Sequence, residues 1–305
     1  MTPASNDTTA ISISGLSKSY GRIRAVKSLS LDVTRGEVFG FLGLNGAGKT
    51  TTIRILLDLL RPGAGSAHVL GRDCQRDGLE VRARVGYLPG EMGYYGDMTG
   101  RRTLDLLARL SGRPIDARRR GALLERLQLS AADLDRRLRE YSSGMKRKLG
   151  IVSAFQADPE LLILDEPTEG LDPLMQEEFY ALLVEWRRSG RTVFMSSHVL
   201  SEVERICDRV GLIRQGDLVV LSTVERIRNL APRRVQVIFE RDVEPRELPP
   251  GPYRMLETQA RTWSVSADGP LGPLLAMLQG LPVADLKVEE PRLEDILVRY
   301  YRDAS

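Results

Sequence analysis

Gly43-Leu44-Asn45-Gly46-Ala47-Gly48-Lys49-Thr50 is the stretch on which the fold turns. It fits G-x-x-x-x-G-K-[ST], the pattern of a phosphate-binding loop. Upstream, Glu37 to Leu42 is a short apolar run that reads as a buried strand. Downstream, Ile53, Leu56, Leu57 and Leu60 recur at helical spacing, and Arg61-Pro62-Gly63 breaks the pattern. The spacing therefore predicts a helix over 49–60. A strand, a glycine-rich turn and a helix start together make a concave anion site from backbone N–H groups and the helix's partial positive charge. Glycine is needed because a Cβ would block both positive φ and close approach to a phosphate. The expected nucleotide-binding set is Gly43, Asn45, Gly46, Ala47, Gly48, Lys49, Thr50 and Thr51, with Lys49 reaching the β- and γ-phosphates and the Thr50 hydroxyl on Mg²⁺.

The bulk numbers suit an ordinary globular chain. With 305 residues, 42% hydrophobic and 28% charged, there is room for one large domain and a small one. A formal charge of +3 gives no reason to expect nucleic acid as a partner. No apolar run approaches the ~18 residues that span a bilayer, and the polar start MTPASNDTTAIS lacks a signal pattern. The expectation is a cytoplasmic protein whose membrane role, if any, needs a partner. Cys74 and Cys207 are isolated, without pairing or metal spacing.

Along the chain, Ile11 to Ile13, Ala25-Val26 and Leu29 to Val33 alternate like strands, with turns expected at Gly15, Tyr20-Gly21 and Arg35-Gly36. Ser66–Leu70 and Val85–Leu88 read as further short strands. From about 91 to 158 the pattern turns helical and arginine-rich, an insertion into an α/β core. Its arginines (Arg118, Arg119, Arg120, Arg136, Arg137, Arg139) read as a solvated face, or alternatively as a contact surface for a partner or anionic headgroups. Leu161-Leu162-Ile163-Leu164-Asp165 suits a central parallel strand buried on both faces. Helices over 173–189 and 200–207 then alternate with strands over 192–196, 210–213 and 217–220, as in a parallel α/β sheet. The pattern breaks at Ala231-Pro232. Strands at 235–239 and 263–265 and helices at 271–278 and 293–301, with a proline-rich loop over 245–252, make residues 234–305 a small α+β domain.

Asp165-Glu166-Pro167 follows the buried strand: Asp165 is placed to hold Mg²⁺ and Glu166 to polarise an attacking water. Ser196-Ser197-His198 puts an imidazole at the end of the next strand, beside the γ-phosphate position. With these residues the chain resembles the ATP-binding subunits of ABC transporters over roughly residues 11–225. The resemblance implies a RecA-like P-loop NTPase core with an antiparallel β layer and a helical subdomain, spanning residues 11–228. It also implies that Tyr20 stacks on adenine and that Tyr141-Ser142-Ser143-Gly144-Met145 is the signature loop. Ser142 and Gly144 would then contact the γ-phosphate across a dimer. Gly170-Leu171-Asp172 resembles the D-loop, and His198 the switch histidine. Implied with these are ATP and Mg²⁺ as ligands, Lys49, Glu166 and His198 as the catalytic set, a second copy, and a membrane permease on which the chain sits peripherally. The signature and the C-terminal domain look like those of ABC-2-type drug-resistance exporters of the daunorubicin kind.

Three positions depart from the family pattern. Gly90, followed by Glu91, stands where a glutamine reads Mg²⁺ and signals to the permease. Ser143 and Met145 stand where glycine and glutamine are commonest, and Leu44 replaces a frequent proline. Gly90 alone suggests a slow, regulatory ATPase as an alternative. Another is a soluble ABC ATPase acting on ribosomes or DNA, but that class carries paired cassettes, long coiled coils or zinc modules, which this sequence lacks.

Overall fold

The computed structural model describes residues 8–229, 232–244 and 248–289. The chain divides into two compact units, Met1–Thr223 and Val224–Ser305.

The first unit begins with the long hairpin β1 (Thr9–Tyr20) and β2 (Ile23–Thr34). β3 (Val38–Leu42) leads into α1 (Lys49–Leu56), followed by β4 (Ala64–Val69), β5 (Arg72–Asp73), α2 (Gly78–Arg84) and β6 (Val85–Leu88). The helical insertion comprises α3 (Gly100–Leu110), α4 (Ala117–Arg126), α5 (Ala131–Asp135), a 3₁₀ turn (Leu138–Glu140) and α6 (Ser143–Gln156). The core resumes with β7 (Leu161–Asp165), α7 (Pro173–Arg188), β8 (Thr192–Ser197), α8 (Leu200–Ile206), β9 (Arg209–Arg214) and β10 (Asp217–Thr223).

Two sheets result. One is antiparallel, in the order β2-β1-β4-β5; the other runs β10-β9-β3-β8-β7-β6 and is parallel except for β10. Every residue of β3, β7 and β8 is buried, as uninterrupted apolar runs require when both faces are covered. Phe194 of β8 stacks on Phe39 at 5.6 Å and leans on Phe41 at 5.4 Å, so the centre of the sheet is aromatic. The parallel register pairs Leu42 with Ser197 and Asp165 with Ser196. The loops leaving β3, β7 and β8 therefore emerge side by side at the strands' carboxyl ends, where open α/β sheets bind ligands.

Local expectations needed correcting in two places, and at a third the structure decides between two readings. Gly15 is no turn: β1 runs through it, with φ +57° at a register shift between Ile13 and Leu16, so the glycine accommodates a bulge. α1 ends at Leu56 rather than Leu60. Asp58 turns left-handed (φ +53°), with Arg61 and Arg82 at 3.4 and 3.6 Å, and the N–H groups of Leu59 and Leu60 both donate to the Arg54 carbonyl. The arginines of the insertion are largely self-paired. Arg119 meets Asp158, Arg120 meets Asp105 at 2.5 Å, Arg136 lies 3.6 Å from Asp133, and Arg137 and Arg139 share Asp97. That is a solvated, charge-balanced face rather than a free cationic surface.

The second unit contains α9 (Val224–Asn229), β11 (Arg233–Phe239), β12 (Tyr253–Gln259), β13 (Thr262–Ala267), α10 (Gly272–Leu278) and β14 (Val283–Glu289). Its sheet, β12-β13-β11-β14, is antiparallel throughout. Alternate residues Val235, Val237 and Phe239 meet Trp263, Val265 and Ala267 on one face, under Leu274 and Leu278 of α10. Trp263 is fully buried, edge-on to Phe239 at 4.6 Å. Replacing it with alanine should cost about 3–5 kcal/mol, read as an early unfolding transition of this unit while nucleotide binding by the first unit persists. The helix expected over 293–301 lies outside the described residues, as does part of the proline-rich loop over 245–252.

Candidate functional site

The phosphate loop is built against its own fold before any ligand arrives. Gly46 and Gly48 have φ of +81° and +113°, and Gly48 caps α1. A Cβ on Gly48 would sit 2.3 Å from the Ala25 carbonyl, and one on Gly43 would sit 2.5 Å from the Ile213 carbonyl. Gly46 has open space around its Cβ position, so there the backbone conformation is the constraint. The Gly43 N–H donates to the Ser197 carbonyl (3.2 Å), and the Gly216 N–H to the Ala47 carbonyl (2.9 Å). The loop is thus held from β8 and from the β9–β10 turn. Gly48→Ala should strain both φ and the Ala25 contact. The expected result is about 2–3 kcal/mol of lost stability together with weakened ATP binding, measured by thermal unfolding and nucleotide titration.

Lys49 is buried, and its ammonium donates to the carbonyls of Gly43 (2.5 Å) and Leu44 (3.4 Å) and pairs with Glu166 Oε1 at 3.1 Å. Glu166 has φ +48°, and its Oε2 lies 2.8 Å from His198 Nδ1. Lys49, Glu166 and His198 therefore form one continuous chain of contacts across three strand ends. Asp165 is buried beside them: the Ser196 hydroxyl donates to its Oδ1 (2.5 Å) and accepts from the Glu166 N–H (3.0 Å). The second oxygen, Oδ2, faces Gly90, at 3.4 Å from where a Cβ would stand. Glu91 is exposed. Thr50 is exposed at the start of α1, Asn45 at the tip of the loop, and Thr51 is half-buried. Ala25, Leu44, Asn45, Gly46, Gly48, Lys49, Thr50, Thr51 and Glu166 line one cleft.

The remaining sequence candidates sit elsewhere. Ser142 caps α6, its hydroxyl accepting from the Met145 N–H at 3.2 Å. Gly144 lies against the Gly170 carbonyl, 2.9 Å from its Cβ position, and Asp172 caps α7 through the Met175 N–H at 3.0 Å. Among the described residues, no hydrogen bond or ion pair joins Ser142, Gly144 or Asp172 to residues 43–51. Tyr20 ends β1, a residue 46% exposed, with the Lys18 ammonium 5.7 Å from its ring centroid.

Sequence reasoning missed the residues that hold these groups in place. Ser196 fixes Asp165, and the Ser-Ser-His run was the available signal. Ser197 donates to Glu202 Oε2 (2.7 Å) and accepts from the Val199 N–H (2.9 Å), while Thr168 donates to the same buried Glu202 carboxylate. That bracket ties the turn after β7 to the segment carrying His198. Arg147, whose partners are the carbonyls of Pro89, Gly90 and Glu169, carries no sequence signal of its own.

The donor set fits Mg²⁺ rather than a softer metal. A threonine hydroxyl and one carboxylate oxygen with space before it are hard ligands, which a magnesium ion shares with phosphates and water. Among the described residues there is no group of three His, Cys, Asp or Glu able to cage a metal without such help.

A phosphate loop at β3, a carboxylate pair at β7 and an imidazole at β8, all on one edge of a parallel sheet, define a nucleotide hydrolase. Comparison with known proteins narrows the class, since a family model for ABC transporters matches residues 26–169. The chain belongs to the ATP-binding subunits of ABC transporters and is an ATPase of that family. It is 38% identical over 213 residues to the bacitracin transport ATP-binding protein BcrA of Bacillus licheniformis, covering 69% of this chain and 68% of that one. To the daunorubicin resistance ATP-binding protein DrrA2 of Streptomyces coeruleorubidus it is 35% identical over 307 residues, 95% of this chain and 94% of the other. An uncharacterised Nostoc ABC transporter ATP-binding protein is 39% identical over 209 residues, and the chain spans 62% of that protein's length. Among solved structures, the ATP-binding subunit of an ABC transporter superposes with a TM-score of 0.67 at 30% identity, covering 72% of this chain and 92% of the other.

Proposed function

We propose that the chain powers efflux of a drug or antibiotic through a separate ABC-2-type permease. Two copies would clamp ATP and Mg²⁺ between the phosphate loop of one and the signature loop of the other. The observation that supports this most is the separation of the two half-sites: Lys49, Glu166 and His198 converge, while Ser142 and Gly144 stand apart on α6, free to complete a neighbour's site.

In the sandwich, Lys49 exchanges its loop carbonyls and Glu166 for the β- and γ-phosphates. Glu166, released from the lysine, takes the proton of the attacking water, and His198 holds the γ-phosphate while Tyr20 stacks on adenine. Thr50 and Asp165 would hold Mg²⁺, which supplies charge neutralisation on the β- and γ-oxygens when bound. Ser142 and Gly144 donate from the partner copy, and Asp172 sits at the same seam. No helix of the described residues is long and apolar enough to cross a membrane. In this reading the membrane-spanning path is the permease's, and the chain works on its cytoplasmic side. The DrrA-like and BcrA-like relatives support a drug or antibiotic cargo; the soluble ribosome- or DNA-acting class has no such support. Sedimentation of the Glu166→Gln chain tests the sandwich: ATP should convert a monomer into a dimer. A mass that ATP does not change would refute the clamp.

A further inference from the structure

Arg147 is the only arginine among the described residues that is buried, at 5% exposure, and it is spent almost wholly on main-chain oxygens. It lies early in α6, on the helix that Ser142 caps. Nε donates to the Glu169 carbonyl (3.1 Å), Nη1 to that of Pro89 (2.9 Å) and Nη2 to that of Gly90 (2.7 Å). Among the described residues its one ion pair is with Glu169, 3.6 Å away and with a side chain 67% exposed. Burial pulls the guanidinium's pKa down, opposed first by Glu169 and then by Tyr94, Asp165 and Glu166. A desolvated cation is costly unless its donors are held in good geometry, and a planar fork is the side chain that holds several acceptors at once.

The three carbonyls belong to two segments that both border the nucleotide site. Pro89 and Gly90 follow β6, and Glu169 follows the turn that carries Asp165 and Glu166. Position 90 has no side chain to place before Asp165, so its link to the rest of the fold runs through the main chain. Gly150 seats the same segment further along α6: a Cβ there would lie 2.7 Å from both Leu88 Cδ1 and Met92 Cε. The segment from Leu88 to Met92 is thereby locked to α6 at two points, one polar and one apolar.

We propose that Arg147 is the positioning residue that passes occupancy of the chain's own Asp165–Glu166 site to the Ser142–Gly144 loop, which completes the partner copy's site. This rests on the two-copy sandwich proposed above. When ATP displaces Glu166 from Lys49, any shift of the backbone at Glu169 or Gly90 reaches α6 through a rigid fork. Nucleotide bound in one copy thus sets the presentation of the loop that clasps the other's.

The test is the ATP dependence of dimerisation by the full chain carrying Glu166→Gln, with and without Arg147→Met or Arg147→Lys, read by sedimentation. Alongside it, binding of a fluorescent ATP analogue is measured on chain dilute enough to be monomeric. The expected result is a midpoint for dimerisation raised about tenfold by methionine and less by lysine, with monomer affinity changed less than about twofold. Dimerisation of both variants at the parent's ATP concentration would overturn the proposal. So would a loss of monomer affinity equal to the shift in midpoint, which would confine Arg147 to its own site, and so would failure of both variants to fold. If the Glu166→Gln parent itself never dimerises, the sandwich is what fails, and the coupling falls with it.

Discussion

Glu166→Gln is expected to abolish turnover, by about three orders of magnitude, while ATP still binds. Glutamine keeps the size of the side chain and leaves the Glu166 backbone bond to Ser196 intact. It removes the carboxylate that would accept the water's proton. Of its neighbours, His198 is committed to the γ-phosphate in the proposed sandwich, and Asp165 has Oδ1 bonded to Ser196 and Oδ2 turned toward Gly90. The substitution also removes the resting partner of Lys49 at 3.1 Å, so affinity for ATP should hold or rise. Phosphate release under saturating ATP, paired with equilibrium nucleotide binding, separates these effects. Turnover within tenfold of the parent would show that Glu166 is not the base.

Lys49→Ala is expected to act one step earlier, on binding itself. An ammonium bridging two phosphates contributes charge-assisted bonds worth about 1.5–3 kcal/mol each, so affinity should fall at least about a hundredfold. The nucleotide-free chain should lose less, because the groups the ammonium leaves behind, two loop carbonyls and the Glu166 carboxylate, border the open cleft and can be reached by water once it is gone. Calorimetric titration with ATP measures the first effect and thermal unfolding the second. Retained affinity would remove the loop from the site. The two variants therefore fail differently: one binds without turnover, the other does not bind.

What could be read from the chain was what short-range pattern encodes. The phosphate loop, the run ending in Asp165-Glu166 and the run ending in Ser196-Ser197-His198 are local, and strands buried on both faces betray themselves by unbroken hydrophobicity. Their mutual placement followed from parallel pairing at the carboxyl ends. Residues whose partners are backbone atoms far away were illegible. Arg147 bonds three carbonyls, two of them nearly sixty residues upstream, and at Gly48, which the motif does name, the close Ala25 carbonyl is a constraint the motif does not contain. No spacing rule records either contact. The early end of α1 went unseen because Leu57 and Leu60 continue the helical period while Asp58 leaves it. Two strands of the second unit were missed for a similar reason: β12 (YRMLETQ) and β14 (VADLKVE) carry exposed polar residues that blur the alternation.

The central claim is that ATP closure of two such chains drives a membrane partner. The most direct measurement is recovery of tagged Glu166→Gln protein from gently solubilised cells with ATP and Mg²⁺ present, followed by identification of what comes with it. The account predicts a multi-span membrane protein, retained with ATP and reduced when Lys49→Ala is the bait. Recovery of ribosomes or DNA, with no membrane protein, would contradict it.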